Sequence, residues 1–204
     1  MIDIDTFITG FSAKINDQGK EPWELVQKFN RIFKEIIESL GDEFIIDNQV
    51  AIHKNAVIED GVVLKGPVII GENCFVGANA YLRNGVYLGN DVKIGTGCEI
   101  KSSLIFDGSS IAHFNFIGDS IIGSSVNFEA GSITANHFNE RDHKDIYVLH
   151  EGAVTNTGVH KFGALVGDHS KIGANAVLSP GTILNKSSIV KRLELVEQVT
   201  IESH

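Results

Sequence analysis

The stretch that decides the fold runs from Ile46 to Phe106: 46-IDNQVAIHKNAVIEDGVVLKGPVIIGENCFVGANAYLRNGVYLGNDVKIGTGCEIKSSLIF-106. Large aliphatic or aromatic residues recur in unbroken steps of six, at positions 46, 52, 58, 64, 70, 76, 82, 88, 94, 100 and 106. A small or medium residue follows four positions after each, ending with Leu104 and Ser110. Each hexapeptide therefore predicts one short strand and one turn. Because such a unit cannot bury its apolar face alone, the units must stack into a solenoid with a continuous core.

This pattern resembles the left-handed parallel β-helix of the hexapeptide-repeat transferases, whose triangular coils each hold three hexapeptides. The resemblance implies a mainly β fold with the β-helix over residues 46–190. The period slips near Ile111 and resumes at Val166, and between these points residues 137–159 are polar and aperiodic. We expect them to form a loop that projects from one coil.

The two ends of the chain depart from the repeat. Apolar residues at helical spacing precede it, from Ile4 to Ile15 and from Trp23 to Leu40, so residues 1–45 predict a helical hairpin that caps the β-helix. Residues 191–204 lose the glycine turns and alternate apolar with polar residues, which predicts a final strand or cap.

Composition restricts the partners. Among 204 residues, Lys and Arg total 17 against 26 Asp and Glu, a net charge of −9 that repels a nucleic-acid backbone. The sequence also lacks a basic, apolar leader and a run of 18 apolar residues, so we expect a cytoplasmic protein with no membrane partner.

The coil length that the resemblance implies converts sequence spacing into geometry. Residues three hexapeptides apart occupy the same position on successive coils, about 4.8 Å apart. Lys65, Arg83 and Lys101 are spaced in this way and predict a column of cations. Such a column is repulsive unless an anion or carboxylates neutralise it, so it is either an anion site, centred on Arg83 and Lys101, or solvated surface.

Several motifs carry a more specific resemblance. They are 82-LR-83, 99-EIK-101, 112-AHFNFIGD-119 and 126-VNFEAGSITAN-136. Together they are similar to the acetyltransferase half of the bifunctional bacterial enzyme that makes UDP-N-acetylglucosamine. The stretch 157-TGVHKFGALVGD-168 resembles related sugar-1-phosphate nucleotidyltransferases. No glycine-rich nucleotide loop precedes the repeat, so we do not expect nucleotidyltransferase activity in this chain.

The resemblance implies an acyl-CoA-dependent N-acyltransferase with acetyl-CoA as cosubstrate and an amino-sugar phosphate or nucleotide-linked amino sugar as acceptor. His113 matches the general base and Glu99 the residue that orients it. An amine must lose a proton as it attacks a thioester, and imidazole accepts protons near neutral pH.

The same resemblance assigns binding roles. Arg83 and Lys101 match residues that hold the phosphate-bearing sugar, and Asn127 matches a sugar contact. Lys144, on the loop, is a further candidate for the phosphate. Asn136 corresponds to a residue near the acetyl donor, and Ala174 to a small residue whose backbone meets the coenzyme arm. The family also implies a homotrimer in which residues 137–159 reach an adjacent chain.

Some residues depart from the family pattern. Phe116 stands where the family has a tyrosine, Glu129 replaces a glycine, and His137 and Phe138 replace a tyrosine and an aspartate. Phe116 and Glu129 favour the alternative that this chain is a binding or assembly subunit that holds a sugar phosphate or nucleotide sugar without turnover.

Histidine and cysteine offer two further readings. Metal-dependent hydration would need three convergent histidines, and the eight histidines here lack tight ligand spacing, so we predict no metal site. Cys74 and Cys98 are four hexapeptides apart and fall on different faces of a triangular coil, which predicts buried structural thiols without a disulfide.

Overall fold

The computed structural model describes residues 1–16 and 19–200 and contains a left-handed parallel β-helix with short helices along one side. Residues 17 and 18, between the two predicted arms of the helical hairpin, and the last four residues of the predicted tail lie outside the described residues. The helices are α1 (Ile4–Phe7), α2 (Phe11–Lys14), α3 (Pro22–Val26) and α4 (Phe29–Glu38).

The helical N-terminus is confirmed, and each predicted arm is divided in two. Gly10 adopts a left-handed conformation, φ 73°, between α1 and α2. Pro22 occupies the first turn of α3, where its missing N–H costs nothing, and Glu21 and Glu24 cap that turn reciprocally.

The strands run through the rest of the chain. They are β1 (Phe44–Asp47), β2 (Val50–His53), β3 (Val57–Ile58), β4 (Val63–Lys65), β5 (Val68–Ile70), β6 (Phe75–Val76), β7 (Tyr81–Leu88), β8 (Lys93–Ile94), β9 (Glu99–Ile105), β10 (Ser110–Ile111), β11 (Phe116–Gly118), β12 (Ile121–Ile122), β13 (Asn127–Phe128), β14 (Ile133–Thr134), β15 (Tyr147–His150), β16 (Ala153–Asn156), β17 (Ala164–Val166), β18 (Lys171–Ile172), β19 (Val177–Leu178), β20 (Thr182–Leu184), β21 (Ile189–Val190) and β22 (Leu195–Val196).

Parallel ladders join equivalent strands of successive coils and form three faces. We call the outward-facing residues of one ladder the helix face: Ala51, Ile69, Tyr87, Leu104, Ile121, Leu165 and Ile183. The open face has Val63, Tyr81, Glu99, Phe116, Ile133, Val177 and Leu195. The third face has Val57, Phe75, Lys93, Ser110, Asn127, Lys171 and Ile189.

The N-terminal helices cover the helix face. Phe29 and Phe33 are fully buried, their rings stacked 4.9 Å apart, and Phe33 also meets the Tyr87 ring at 5.9 Å. The buried carboxylate of Asp168 ties α1 to the coils, because it accepts hydrogen bonds from the backbone N–H of Thr9 and of Ser124. Two apolar cores therefore exist, one inside the coils and one between the helices and the helix face.

The six-residue period ends earlier than the sequence suggests. Lys101 pairs with Arg83, 18 residues away, but Ser103 pairs with Val86, 17 residues away, because β7 contains a bulge between them. Ile105 therefore takes the inward position expected for Phe106, which instead packs beneath the helices. The same shift makes Ser103 and Ser109 inward in place of Leu104 and Ser110.

The start of the repeat also differs from the expectation. Ile46 lies in β1, which pairs antiparallel with β2, and remains 46% exposed. The coil stack begins with β2, since the backbone reverses at Asn48 and Gln49, both in the left-handed region.

The insertion at residues 137–159 contains an antiparallel hairpin, β15 and β16. Ile146 and Val148 are buried in the same core as the N-terminal helices, so the base of the hairpin packs on its own chain. The outer strand β16 is exposed throughout, with Val154 57% exposed.

Candidate active site

The predicted cation column is present on the open face. Lys65, Arg83 and Lys101 are register partners on successive coils. Lys65 and Arg83 both lie over the ring of Tyr81, at 5.1 and 5.7 Å from its centroid. Arg83 is paired with a carboxylate, because Glu99 accepts hydrogen bonds from its Nε and Nη2 at 2.8 and 2.7 Å.

A second carboxylate, Asp119, organises the top of this column. Its side chain is 6% exposed and accepts from Lys101 Nζ at 2.5 Å and from Asn136 Nδ2. Asn136 Oδ1 in turn lies 3.1 Å from Nδ1 of His137. Lys101 and Asn136, predicted to meet different ligands, therefore belong to one buried network.

Asp119 was not assigned a role by the sequence reasoning. The sequence pattern that could have identified it is the Gly-Asp pair at 118–119, which recurs at 167–168. In both pairs the aspartate is buried and joins separate segments of the chain.

His113 lies in the turn between β10 on the third face and β11 on the open face. His113 is exposed, and among the described residues no hydrogen bond joins its imidazole to another side chain. The expected partner Glu99 is engaged by Arg83 instead. The imidazole is therefore open to a ligand. Among the described residues, no hydrogen bond between Glu99 and His113 supports the expected orienting role of Glu99.

The next residue, Phe114, is unusual for such a turn. It has φ 56° and is 71% exposed, whereas the equivalent turn positions of neighbouring coils are Gly97 and Gly131. Phenylalanine is costly in the left-handed region. A Cβ on Gly97, which has φ 67°, would lie 2.6 Å from Cδ1 of Phe114, so glycine at position 97 leaves room for this ring.

The turn column that contains His113 continues along the β-helix. The carbonyl oxygens of His113, Ala130 and Ala174 each accept a hydrogen bond from a backbone N–H on the next coil. The donors are Gly131, Asn175 and Leu193, at 2.9, 3.0 and 3.0 Å. We call His113, Ala130, Ala174 and Arg192 the His113 corner. With about 4.8 Å per coil, His113 and Arg192 are about 14 Å apart along the axis.

Glu129 bridges the far half of this corner. Its Oε2 accepts from the Ala174 N–H at 2.9 Å and from Arg192 Nε at 2.8 Å, and its Oε1 accepts from Arg192 Nη2 at 2.8 Å. These bonds lower the pKa of Glu129 to about 2. The Ala174 amide, predicted to meet the coenzyme arm, is therefore occupied by an internal carboxylate.

Two other predicted binding residues lie apart from the cation column. Asn127 is exposed on the third face, in register with Lys171. Lys144 donates to the carbonyl oxygens of Phe138 and Asn139, each at 3.1 Å, and so holds its own loop.

The thiols are structural. Cys74 and Cys98 are buried and free, and their Sγ–H groups donate to the carbonyls of Gly89 and Ala112. Burial raises the pKa of Cys74 to about 11 and also raises that of Cys98, so both stay protonated at neutral pH.

Two features are absent from the described residues. No group of three or more His, Cys, Asp or Glu is arranged to hold a metal ion within residues 1–16 and 19–200. Across that same part of the chain, no helix has the length and apolar character needed to cross a bilayer.

Comparisons with known proteins give the following relationships. The family model of the GMPPB C-terminal domain matches residues 64–160. The chain is 37% identical over 170 residues to the bifunctional sugar-1-phosphate nucleotidylyltransferase/acetyltransferase of Sulfurisphaera tokodaii, covering 81% of this chain and 42% of the relative. It is 45% identical over 181 residues to the bifunctional protein GlmU of Methanococcus maripaludis strain C7, covering 86% of this chain and 43% of the relative.

The chain thus spans less than half the length of these curated relatives. Among solved structures, the UDP-N-acetylglucosamine acyltransferase LpxA of Bacteroides fragilis aligns with a TM-score of 0.47 at 18% identity, covering 76% of this chain and 60% of that one.

Proposed function

This chain is a hexapeptide-repeat β-helix protein related to the bifunctional sugar-1-phosphate nucleotidylyltransferase/acetyltransferases, and from that premise we propose that it is an acyl-CoA-dependent N-acyltransferase. The acceptor is an amino-sugar phosphate or a nucleotide-linked amino sugar, and the transferred group is acetyl. The observation that carries the proposal is 37% identity, over 81% of this chain and 42% of the relative, to a protein named as a bifunctional sugar-1-phosphate nucleotidylyltransferase/acetyltransferase.

His113 is the general base of the proposed reaction. The acceptor amine attacks the thioester carbonyl, the new C–N bond forms, and the amine proton passes to the imidazole. The C–S bond then breaks, and the departing thiolate of coenzyme A takes up a proton. The exposed imidazole at the boundary of two faces supports this role, because both substrates have access to it.

Arg83 is the main contact for the acceptor's phosphate. Its side chain is 28% exposed, and a guanidinium has five N–H donors, of which Glu99 uses those on Nε and Nη2. Lys101 is 12% exposed and engaged by Asp119, so it contributes mainly by holding the column in place.

The test of the proposed function is release of free thiol from acetyl-CoA with glucosamine-1-phosphate and with nucleotide-linked amino sugars as acceptors. We expect His113→Ala to lower the rate by about 10² to 10⁴, because only proton transfer in the transition state is lost.

The matched control is His169→Asn, which removes an exposed histidine from a different turn and suits its φ of 62°. It should leave the rate unchanged. Turnover that is equally fast in His113→Ala would show that His113 is not the base, while no turnover with any acceptor would refute acyl transfer.

One observation favours a second candidate, a binding or assembly subunit without turnover. Glu129 occupies the Ala174 amide in this chain. Binding of a nucleotide sugar without thioester cleavage would establish that alternative.

We also propose a homotrimer. The open face presents an apolar column in which Leu195, Val63 and Ile133 are 61%, 45% and 37% exposed. No segment of the described chain covers this face as the helices cover the helix face. Burial against neighbouring copies would remove this surface from water.

A further inference from the structure

The His113 corner ends in a depression that carries an unusual charge for this molecule. Lys171, Lys191 and Arg192 line it together with Asn127 and one carboxylate, Glu129. The chain as a whole has a net charge of −9, so a local excess of cations is selective for an anionic ligand.

Glu129 is the group that neutralises part of this depression from within. Its carboxylate holds both the guanidinium of Arg192 and the backbone N–H of Ala174, which lie on the two following coils. The side chain therefore extends along the axis of the corner, beyond the level of its own coil and away from His113.

An acyl-CoA molecule is long, with a thioester at one end and phosphates at the other. If the proposed function holds, the thioester lies at His113, and the three coils from there to Arg192 place the phosphates at the cationic depression. A ligand in this position needs the donors that Glu129 already uses.

We propose that Glu129 is a latch that competes with the acyl donor for Arg192 and the Ala174 amide. The donor binds only when the carboxylate swings away, and its apparent affinity is reduced by the fraction of molecules with the latch closed. This inference rests on the proposed function and adds a residue that sets how tightly the donor is held.

The latch does not respond to pH in the neutral range. Its hydrogen bonds lower the pKa of Glu129 to about 2, so the carboxylate remains charged far below neutrality. Opening therefore depends on displacement by the donor.

The experiment is calorimetric titration of coenzyme A into the wild-type chain and into Glu129→Gln at fixed ionic strength. Glutamine keeps the shape and loses the charge, so we expect coenzyme A to bind about fivefold or more tightly in the variant. Glu129→Ala, which also removes the hydrogen bonds, should bind at least as tightly as Glu129→Gln.

Two further variants separate the explanations. Glu35→Gln removes the same charge from an exposed pair with Arg31 on α4 and should leave the affinity unchanged. Adding Arg192→Ala to Glu129→Gln should abolish the gain, because the released guanidinium is then missing. Equal melting temperatures for wild type and Glu129→Gln would show that the gain in coenzyme A affinity does not come from a change in fold stability.

The outcomes distinguish the latch from the proposed function. Wild type that binds coenzyme A while Glu129→Gln binds equally or more weakly overturns the latch and leaves acyl transfer standing. If neither wild type nor Glu129→Gln binds coenzyme A, the donor itself is wrong, and both proposals are overturned.

Discussion

Asp119 shows how one residue can decide whether a cation column is tolerable. Lys101 is 12% exposed and has lost most of its hydration, which is costly for an ammonium group. Asp119, 6% exposed, compensates that charge and also accepts a hydrogen bond from the side-chain amide of Asn136. The network lies at the turn after the open-face strand β11, whereas His113 lies in the turn before that strand.

Asp119→Asn should therefore destabilise the fold by about 3 to 5 kcal/mol, because it leaves the charge of Lys101 buried and unpaired. Urea denaturation measures this as a lower midpoint at an unchanged slope. Glu35→Gln breaks the pair with Arg31, whose members are 64% and 65% exposed, and should cost about 0 to 1 kcal/mol. Equal losses in the two variants would contradict the network's role.

At the scale of the element, the N-terminal helices are part of the β-helix fold because they cover the helix face. A solenoid face lined by Ile69, Leu104 and Ile121 would otherwise expose an apolar stripe. The four helices are too short to be stable alone, so packing on the coils holds them.

Phe33→Ala tests this coupling. Phe33 is fully buried between Phe29 and Tyr87, so removal of its ring should lower the free energy of unfolding by about 3 to 5 kcal/mol. The control is Ile45→Ala, at a side chain 62% exposed, which should change it by no more than about 0.5 kcal/mol. The proposal of a coupled fold fails if Phe33→Ala unfolds the helices while the denaturation midpoint of the strands is unaffected.

At the scale of the whole molecule, the three faces have different surroundings. Helices cover one face, charged and polar residues such as Lys93 and Lys171 interrupt another, and the open face combines apolar residues with the cation column. An apolar face beside polar candidate site residues suits an interface between copies that completes a site.

Light scattering should therefore give about three times the chain mass of 22.1 kDa for the wild type. Ile133→Lys places a charge in the middle of the apolar column and should shift the population to monomers, since burying an unpaired charge is unfavourable. Lys93→Glu on the third face should leave the assembly unchanged. Monomeric wild type at micromolar concentration would refute the trimer.

The sequence by itself determined the coil. The period of six predicts one strand and one turn per hexapeptide, and the family resemblance implies three hexapeptides per coil. From these two numbers, counting residues placed Arg83 beside Lys101 and kept Cys74 and Cys98 on different faces. These properties depend on the spacing of residues along the chain, which can be counted in the sequence.

Only the tertiary structure decided which groups meet. The bulge in β7 shortens the next coil, so Ile105 takes the inward position that the six-residue period predicts for Phe106. The period itself does not predict the bulge. The partners of Glu99 and Glu129 depend on side-chain conformations and on residues up to 63 positions away. A periodic sequence specifies the scaffold, but contacts between coils settle which charges are paired and which remain available to a ligand.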